Sequence, residues 1–309
     1  LSMSIVTVSI RLEYVNETLL PRIPATEVFP VVEDGNLPAK ATVFEAFPIR
    51  ATVFREGHDA YAAEAVLIRP GGSIHSRALM HDIAPGLDRY EAWLMPDAVG
   101  KWSFRIDTWS DPYATWRHDA SVKIGAEVDV ELMLEEGALL MERAARGEAL
   151  NNPSQKQPSR AGIQTLLAAA QALRDTTQTP QRRLSAGLAA PVRAVFRNFP
   201  LRDLYGSTRS FPLYVARNRA LAGAWYEIFP RSHGAFQDKK GHWVSGTLRT
   251  ATEDLPRIAS MGFNVVYLTP IHPIGLTNRK GKNNSLVAHR GEPGSPYGIG
   301  SREGGHDAI

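Results

Sequence analysis

The residues best suited to chemistry in this sequence lie in one long polar stretch near its end. It begins His272-Pro273-Ile274-Gly275-Leu276-Thr277-Asn278-Arg279-Lys280-Gly281-Lys282-Asn283-Asn284-Ser285. It continues with Gly294-Ser295-Pro296-Tyr297-Gly298-Ile299-Gly300-Ser301 and then Glu303-Gly304-Gly305-His306-Asp307. Cations, asparagines, a tyrosine and flexible glycines are the residue types that grip phosphate and sugar hydroxyls. His272, His306 and Asp307 share residue types with a metal centre, but their spacing is not that of a helical histidine pair. No metal and no cofactor is expected.

The elements that must position this stretch can be read just upstream. Residues 225–229 form an aromatic and β-branched run stopped by Pro230, which suits a buried strand. Thr250 followed by Glu253 has the spacing of a capping box, so a helix is expected to start there. Leu255, Ile258 and Ala259 repeat at helical spacing, and Gly262 stands where a helix C-cap glycine belongs. Pro256 should weaken or kink the early helix. Residues 265–268 are nearly all apolar, as expected for a parallel strand covered on both faces. Strand, helix and strand at this length make one βαβ unit. Loops leaving the C-terminal ends of parallel strands are where such sheets do chemistry.

At residues 225–232, 262–275, 279–285 and 294–307 the sequence resembles the start of the catalytic barrel of the α-amylase superfamily, glycoside hydrolase family 13. More closely, it resembles the bacterial α-1,4-glucan:maltose-1-phosphate maltosyltransferases. Pro38-Ala39-Lys40 and Arg55-Glu56-Gly57-His58-Asp59-Ala60 resemble that family's N-terminal domain, so the likeness runs from about Pro38 onward. The resemblance implies a parent glycosyltransferase that moves maltosyl from maltose-1-phosphate to the non-reducing end of an α-1,4-glucan, with retention. It implies a homodimer in a bacterial cytoplasm, with glycogen-like glucan biosynthesis as the setting. It also assigns Lys280, in Arg279-Lys280-Gly281, to the donor phosphate, where an ammonium makes a charge-assisted contact. A plain surface lysine is the alternative. Tyr297 matches the tyrosine that packs on the reactive sugar ring, with a structural loop role as its alternative. Asn283 completes the expected substrate-binding set.

Retaining glycosyl transfer needs two flanking carboxylates. The resemblance places both on later strands, so no catalytic residue is assigned here, and neither Glu227 nor Asp307 is promoted to that role. The stretch 225–309 is much shorter than the roughly 250 residues of a full (β/α)8 barrel. The expectation is an N-terminal, inactive portion of the enzyme. An amylase-type hydrolase fragment and a non-catalytic glucan-binding or dimerisation module are the other readings.

The rest of the chain reads as follows. Its 309 residues are 43% hydrophobic and 22% charged, an ordinary globular composition. A net charge of +3, without a basic stripe interleaved with aromatics, argues against nucleic acid. Cysteine is absent, which excludes disulfides and thiolate sites and fits a reducing cytoplasm. No apolar run reaches the length of a membrane helix, and no signal-peptide core is seen. Residues 1–24 are expected to be a poorly ordered extension. Residues 25–124 show short strands with Gly/Pro turns and read as an immunoglobulin-like β-sandwich. Trp93 and Trp102 are expected in its core, although exposed tryptophans could stack on sugars. Trp109 and Trp116 are expected in a polar loop, exposed or at a domain contact. Residues 125–200 read as a helical insertion, with helices over 127–146, 164–174 and 181–188 and a polar linker over 151–159. Arg182, Arg183, Arg193, Arg197 and Arg202 are read as solvated helix surface and interface rather than an anion site. Residues 201–309 are assigned to the start of the barrel, with 212–215 leading into it.

Overall fold

The computed structural model describes residues 21–148 and 157–309. The chain forms two compact units, one ending at Arg217 and one running Asn218–Ile309. Residues 1–20 of the expected extension and residues 151–156 of the expected linker lie outside the described residues. Just beyond, Ile23 is fully buried and its carbonyl accepts a 2.7 Å bond from Thr108 Oγ1. The chain is therefore already in a core before residue 24.

The first unit starts with β1 (Ala25–Phe29), β2 (Ala39–Thr42), β3 (Phe47–Val53), β4 (Tyr61–Ile68), β5 (Ile74–Leu79), β6 (His81–Ala84), β7 (Arg89–Leu94) and β8 (Gly100–Ser110). Five helices follow: α1 (Pro112–Gly125), α2 (Val130–Ala145), α3 (Arg160–Arg174), α4 (Pro180–Gly187) and α5 (Ala190–Asn198). The unit ends with β9 (Asp203–Ser207) and β10 (Phe211–Ala216). One sheet has the order β1-β3-β7-β6, and the other β2-β10-β8-β4-β5 with β9 on β8. Along β3, Phe47, Ile49, Ala51 and Val53 are buried and the residues between them are half-exposed, the period of two that a strand imposes. Ala65 and Leu67 of β4, Trp102, Phe104 and Ile106 of β8, and Phe211, Leu213 and Val215 of β10 join them in one core. The two sheets thus share a sandwich-like core.

β10 corrects the reading of its own segment. It lies between β2 and β8, parallel to the first and antiparallel to the second. Residues 211–216 are therefore a central strand of this sheet and not a lead into a barrel. Their alternation fits, since Phe211, Leu213 and Val215 are buried while Tyr214 is 42% exposed. The chain leaves the sheet at β8, makes its helices, and returns through β9 and β10.

Helices stand where residues 127–146, 164–174 and 181–188 suggested them. α1 was read as strand or loop and is a helix. Asp111 caps it by accepting from Ala114 N at 2.9 Å, and Pro112 occupies its first turn. Trp109 and Trp116 are 1% and 6% exposed, so neither lies in an open loop. The expected core pair also divides: Trp102 is buried at 3%, but Trp93 points outward from β7 at 54%. Trp93 Nε1 donates to Glu91 Oε1 at 2.7 Å.

Trp116 is the wedge of the helical layer. Its Nε1 donates to the Met133 carbonyl at 2.7 Å. Its ring lies over two helix glycines, and a Cβ built on Gly137 would stand 2.2 Å from Cζ2. A Cβ on Gly187 would stand 2.6 Å from Cη2. A rigid indole held by its own hydrogen bond cannot yield cheaply. Gly137→Ala should destabilise the first unit by about 1–3 kcal/mol despite alanine's better helix propensity. Urea unfolding would show the drop in midpoint, and a stability equal to wild type would mean the wedge can shift.

The second unit contains β11 (Trp225–Ile228), a short hairpin of β12 (Phe236–Gln237) and β13 (Trp243–Val244), α6 (Leu248–Glu253), α7 (Leu255–Ser260) and β14 (Val265–Leu268). β11 and β14 pair in parallel, Trp225 with Val265 through Ile228 with Leu268. The capping box is Thr247 with Thr250, three residues earlier than expected. Pro256 sits in the first turn of α7, so the expected single helix is split at Asp254. Gly262 follows at φ +89°, a left-handed position that suits glycine. The strand pair is covered on one face only. Ile228, Ala251 and Ile258 are buried between it and the helices, whereas Trp225 and Tyr267 are 62% and 44% exposed. Among the described residues there is no closed barrel.

Candidate functional site

The polar stretch that follows β14 folds back on itself at the C-terminal ends of the parallel pair. A bridge between Ile274 and Ile299 ties its two arms. Gly275 N donates to Gly298 O at 2.8 Å, and Gly300 N donates to Pro273 O at 2.8 Å. The arginine beside the expected phosphate residue is wholly occupied by backbone. Arg279 Nε donates to Gly275 O at 2.8 Å, one terminal nitrogen to Ile274 O at 2.6 Å and the other to Glu292 O at 3.2 Å. Arg231, from the loop after β11, donates to Gly294 O at 2.8 Å. Two arginines from two loops therefore shape one backbone frame.

Within the frame, Gly281 N donates to Ser285 O at 3.0 Å and closes a tight turn. A Cβ on Gly281 would stand 2.2 Å from Val287 O, so only glycine fits. Asn283 and Asn284 hold φ of +51° and +61°, a region asparagine tolerates better than most residues. This turn holds Lys280 half-buried and Asn283 exposed. Both line an open cleft of about 990 Å³ with Arg231, Trp243, Arg290 and Glu292. Lys280, Lys282 and Arg290 all line it and have no side-chain partner among the described residues. The lining acid, Glu292, is turned to its own loop, where Oε2 accepts from His289 N at 2.8 Å. The cleft thus presents unpaired cations, an asparagine and an exposed indole. Such a wall suits an anionic group attached to a polyhydroxyl body.

Tyr297 does not line that cleft. It is 59% exposed, and its hydroxyl donates to Glu227 Oε1 of β11 at 3.3 Å. Desolvation, and then the Glu227 carboxylate, hold the Tyr297 phenol above its ordinary value, so it is a proton donor at neutral pH. The structure brings Lys280 and Asn283 together and leaves Tyr297 beside the strand end. A smaller cleft of about 250 Å³ opens there, lined by Phe229, Arg231, Thr269, His272 and Pro296. His272 Nδ1 lies 2.8 Å from Ala308 O, and its ring is 5.3 Å from that of His306. Asp307 Oδ1 accepts from Gly305 N at 2.9 Å, and such backbone bonds hold its carboxyl below the usual range. Among the described residues no group of His, Asp or Glu could hold a metal ion.

Sequence reasoning passed over Arg231, Arg279 and Trp243. Arg279 stood in the quoted Arg-Lys-Gly motif without a role. The partners of Arg231 and Trp243 are set by the fold, and no local pattern marks them.

The arginines near the helices are not one surface. Arg183 is 5% exposed and donates to Leu173 O at 2.8 Å and to both oxygens of Glu131 at 2.7 and 2.9 Å. Arg202 is 8% exposed and is paired with Glu64. These two are corrected from solvated surface to buried structural cations.

Comparison with known proteins bears on the whole of this architecture. Residues 21–217 match the family model described as alpha-1,4-glucan:maltose-1-phosphate maltosyltransferase, domain N/S. The chain is 49% identical over 290 residues to the alpha-1,4-glucan:maltose-1-phosphate maltosyltransferase of Arcanobacterium haemolyticum, covering 93% of this chain and 41% of the relative. It is 52% identical over 288 residues to enzyme 2 of that name from Streptomyces coelicolor, with the same 93% and 41% coverage. The Mycobacterium tuberculosis enzyme is 41% identical over 315 residues, 93% of this chain and 43% of the relative. The chain thus spans well under half the length of these relatives. On the strength of that model match and those identities, the chain belongs to the alpha-1,4-glucan:maltose-1-phosphate maltosyltransferase family.

Proposed function

We propose that the chain is the N-terminal portion of a retaining maltosyltransferase. The whole enzyme would take maltosyl from maltose-1-phosphate and add it to the non-reducing end of an α-1,4-glucan. The observation that carries this reading is the unpaired Lys280 ammonium in a cation-lined cleft formed largely by the polar stretch that follows β14. A phosphate dianion placed there meets Lys280, Lys282 and Arg290, none of which is ion-paired to a carboxylate among the described residues. A hydrolase acting on neutral glucan has no use for such a wall.

In this reading the second unit is the first βαβ of an incomplete (β/α)8 barrel. The first unit is an immunoglobulin-like sandwich with a helical insertion that serves a homodimer in the cytoplasm. Lys280 meets the donor phosphate, Asn283 supports that contact, and Tyr297 packs against the sugar ring. The nucleophile and the acid/base lie on strands beyond this segment, so the 309-residue chain alone is inactive.

The test uses a full-length protein carrying this segment, with maltose-1-phosphate and a malto-oligosaccharide. Phosphate release should match elongation by maltosyl units, and the isolated 309-residue chain should release none. Glucan hydrolysis that ignores the phosphate donor would replace this reading with an amylase-type one. Turnover by the isolated chain would overturn its inactivity.

A further inference from the structure

We infer that Arg279 is a positioning residue that aims Lys280 at the donor phosphate; this rests on the function proposed above. Arg279 and Lys280 are neighbours in sequence but have opposite fates. Every side-chain nitrogen of Arg279 donates to a backbone carbonyl, of Gly275, Ile274 and Glu292. Lys280 has no side-chain partner and lines the cleft. The guanidinium is therefore spent on the loop and not on a ligand.

Its geometry is what the loop needs. Gly275 and Ile274 lie on the arm entering the loop, and Glu292 lies on the arm leaving it. A planar fork with separate nitrogens reaches both arms at once, whereas an ammonium offers its donors from one point. The seat is built for it: a Cβ on Gly294 would stand 2.8 Å from Arg279 Cγ, and Gly294 itself holds φ +78°. Arg231 then fixes the Gly294 carbonyl from the neighbouring loop. Lys280 emerges directly from this clamp, between Arg279 and the tight turn at Gly281. An ammonium on a long flexible stem contributes most when its backbone origin is fixed, because misplacement by about 1 Å can cost on the order of 100-fold in rate.

The experiment measures kcat/KM in a full-length enzyme for two donors, maltose-1-phosphate and maltosyl fluoride. The variants are Lys280→Ala, Arg279→Ala, Arg279→Lys, Gly294→Ala and the Arg279→Ala/Lys280→Ala double. Arg279→Ala should lose on the order of 10- to 100-fold with the phosphate donor and far less with the fluoride. Arg279→Lys should fare no better, because charge alone does not replace the fork. Gly294→Ala, which leaves Arg279 in place but fills its seat, should show the same donor bias. In the double variant the losses should not multiply, since removing the ammonium leaves nothing to aim.

Full rescue by Arg279→Lys would mean that charge, not position, is what matters, and would overturn the inference. Equal losses of Arg279→Ala on both donors, beside a phosphate-selective Lys280→Ala, would also overturn it by making Arg279 a general loop support. An Arg279→Ala protein that fails to fold leaves Gly294→Ala to decide by the same donor ratio. If Lys280→Ala itself shows no donor bias, the phosphate assignment fails first and the inference falls with it.

Discussion

If the proposed function holds, Lys280→Ala in a full-length enzyme carrying this segment should lower kcat/KM with maltose-1-phosphate by on the order of 100- to 1000-fold. In that reading the leaving group would be a phosphate dianion, with negative charge growing on its bridging oxygen as the glycosidic bond breaks. A fixed cation offsets that charge in the transition state more than in the ground state, which is the condition for raising kcat. The cleft favours a large effect because Lys280 has no ion-pair partner among the described residues. The neighbouring Lys282 and Arg290 limit the effect, since either can move toward the phosphate when Lys280 is gone. Maltosyl fluoride has no phosphate, so its use should suffer far less. Steady-state kinetics with both donors decide the matter. Equal losses on the two would make Lys280 a support of the loop or the sugar.

What was legible in the sequence follows how local each cause is. The β14 strand, the Gly262 cap and the break at Pro256 each depend on residues within a turn or two, and each is found where the pattern put it or within a few residues. β10 was misread because its partners β2 and β8 are remote in sequence, and a short alternating run does not say which sheet it joins. Trp116 was misread for the same reason. Its polar sequence neighbours suggested a loop, but Gly137 and Gly187 on other helices make the slot that buries it. At the site, the expectation for Lys280 came only through a motif shared with a known family, and what the structure adds is its place in the cleft lining. The roles of Arg231 and Arg279 were not legible, because each acts through carbonyl oxygens, and carbonyls leave no mark on sequence. The exposed indole of Trp93 shows the opposite failure, where an aromatic in a strand was taken for core and faces water.

The largest stability effect should come from Arg202, which closes a buried network on the six-stranded sheet. Glu64 of β4 and Asp107 of β8 stand directly opposite each other in register. They are 6% and 0% exposed, so two carboxylates face each other with little water between them. Alone, that pair would repel strongly. Arg202 answers it with 2.6 and 2.9 Å bonds to the two Glu64 oxygens, and its guanidinium lies 4.0 Å from the Trp109 ring centroid. Arg77 bridges Glu64 and Asp107, and Arg105 donates to Asp107 at 2.7 Å. Arg202 is also the last residue before β9, so its bonds pin the returning chain to the sheet.

Arg202→Ala strips the fork from Glu64 and uncovers Trp109. Breaking one side of a buried pair typically costs about 3–5 kcal/mol, and Arg77 should keep the loss near the lower end. Replacing both partners, Arg202→Met with Glu64→Leu, should be less damaging than Arg202→Ala alone, because no buried charge is stranded. The pH dependence has a definite sign. Burial pushes the Asp107 carboxyl up, but hydrogen bonds from Arg105, Tyr205 and Ser207 outweigh it and hold it below its ordinary value. Its contribution to stability is therefore complete above the unfolded carboxylate pKa of about 3.9 and is lost as pH falls through the lower folded value. Asp107→Asn should flatten that acid limb. Urea midpoints at pH 7 and across the acid range test all of this. A loss under about 1 kcal/mol for Arg202→Ala would place the pair with exposed salt bridges and refute the buried network.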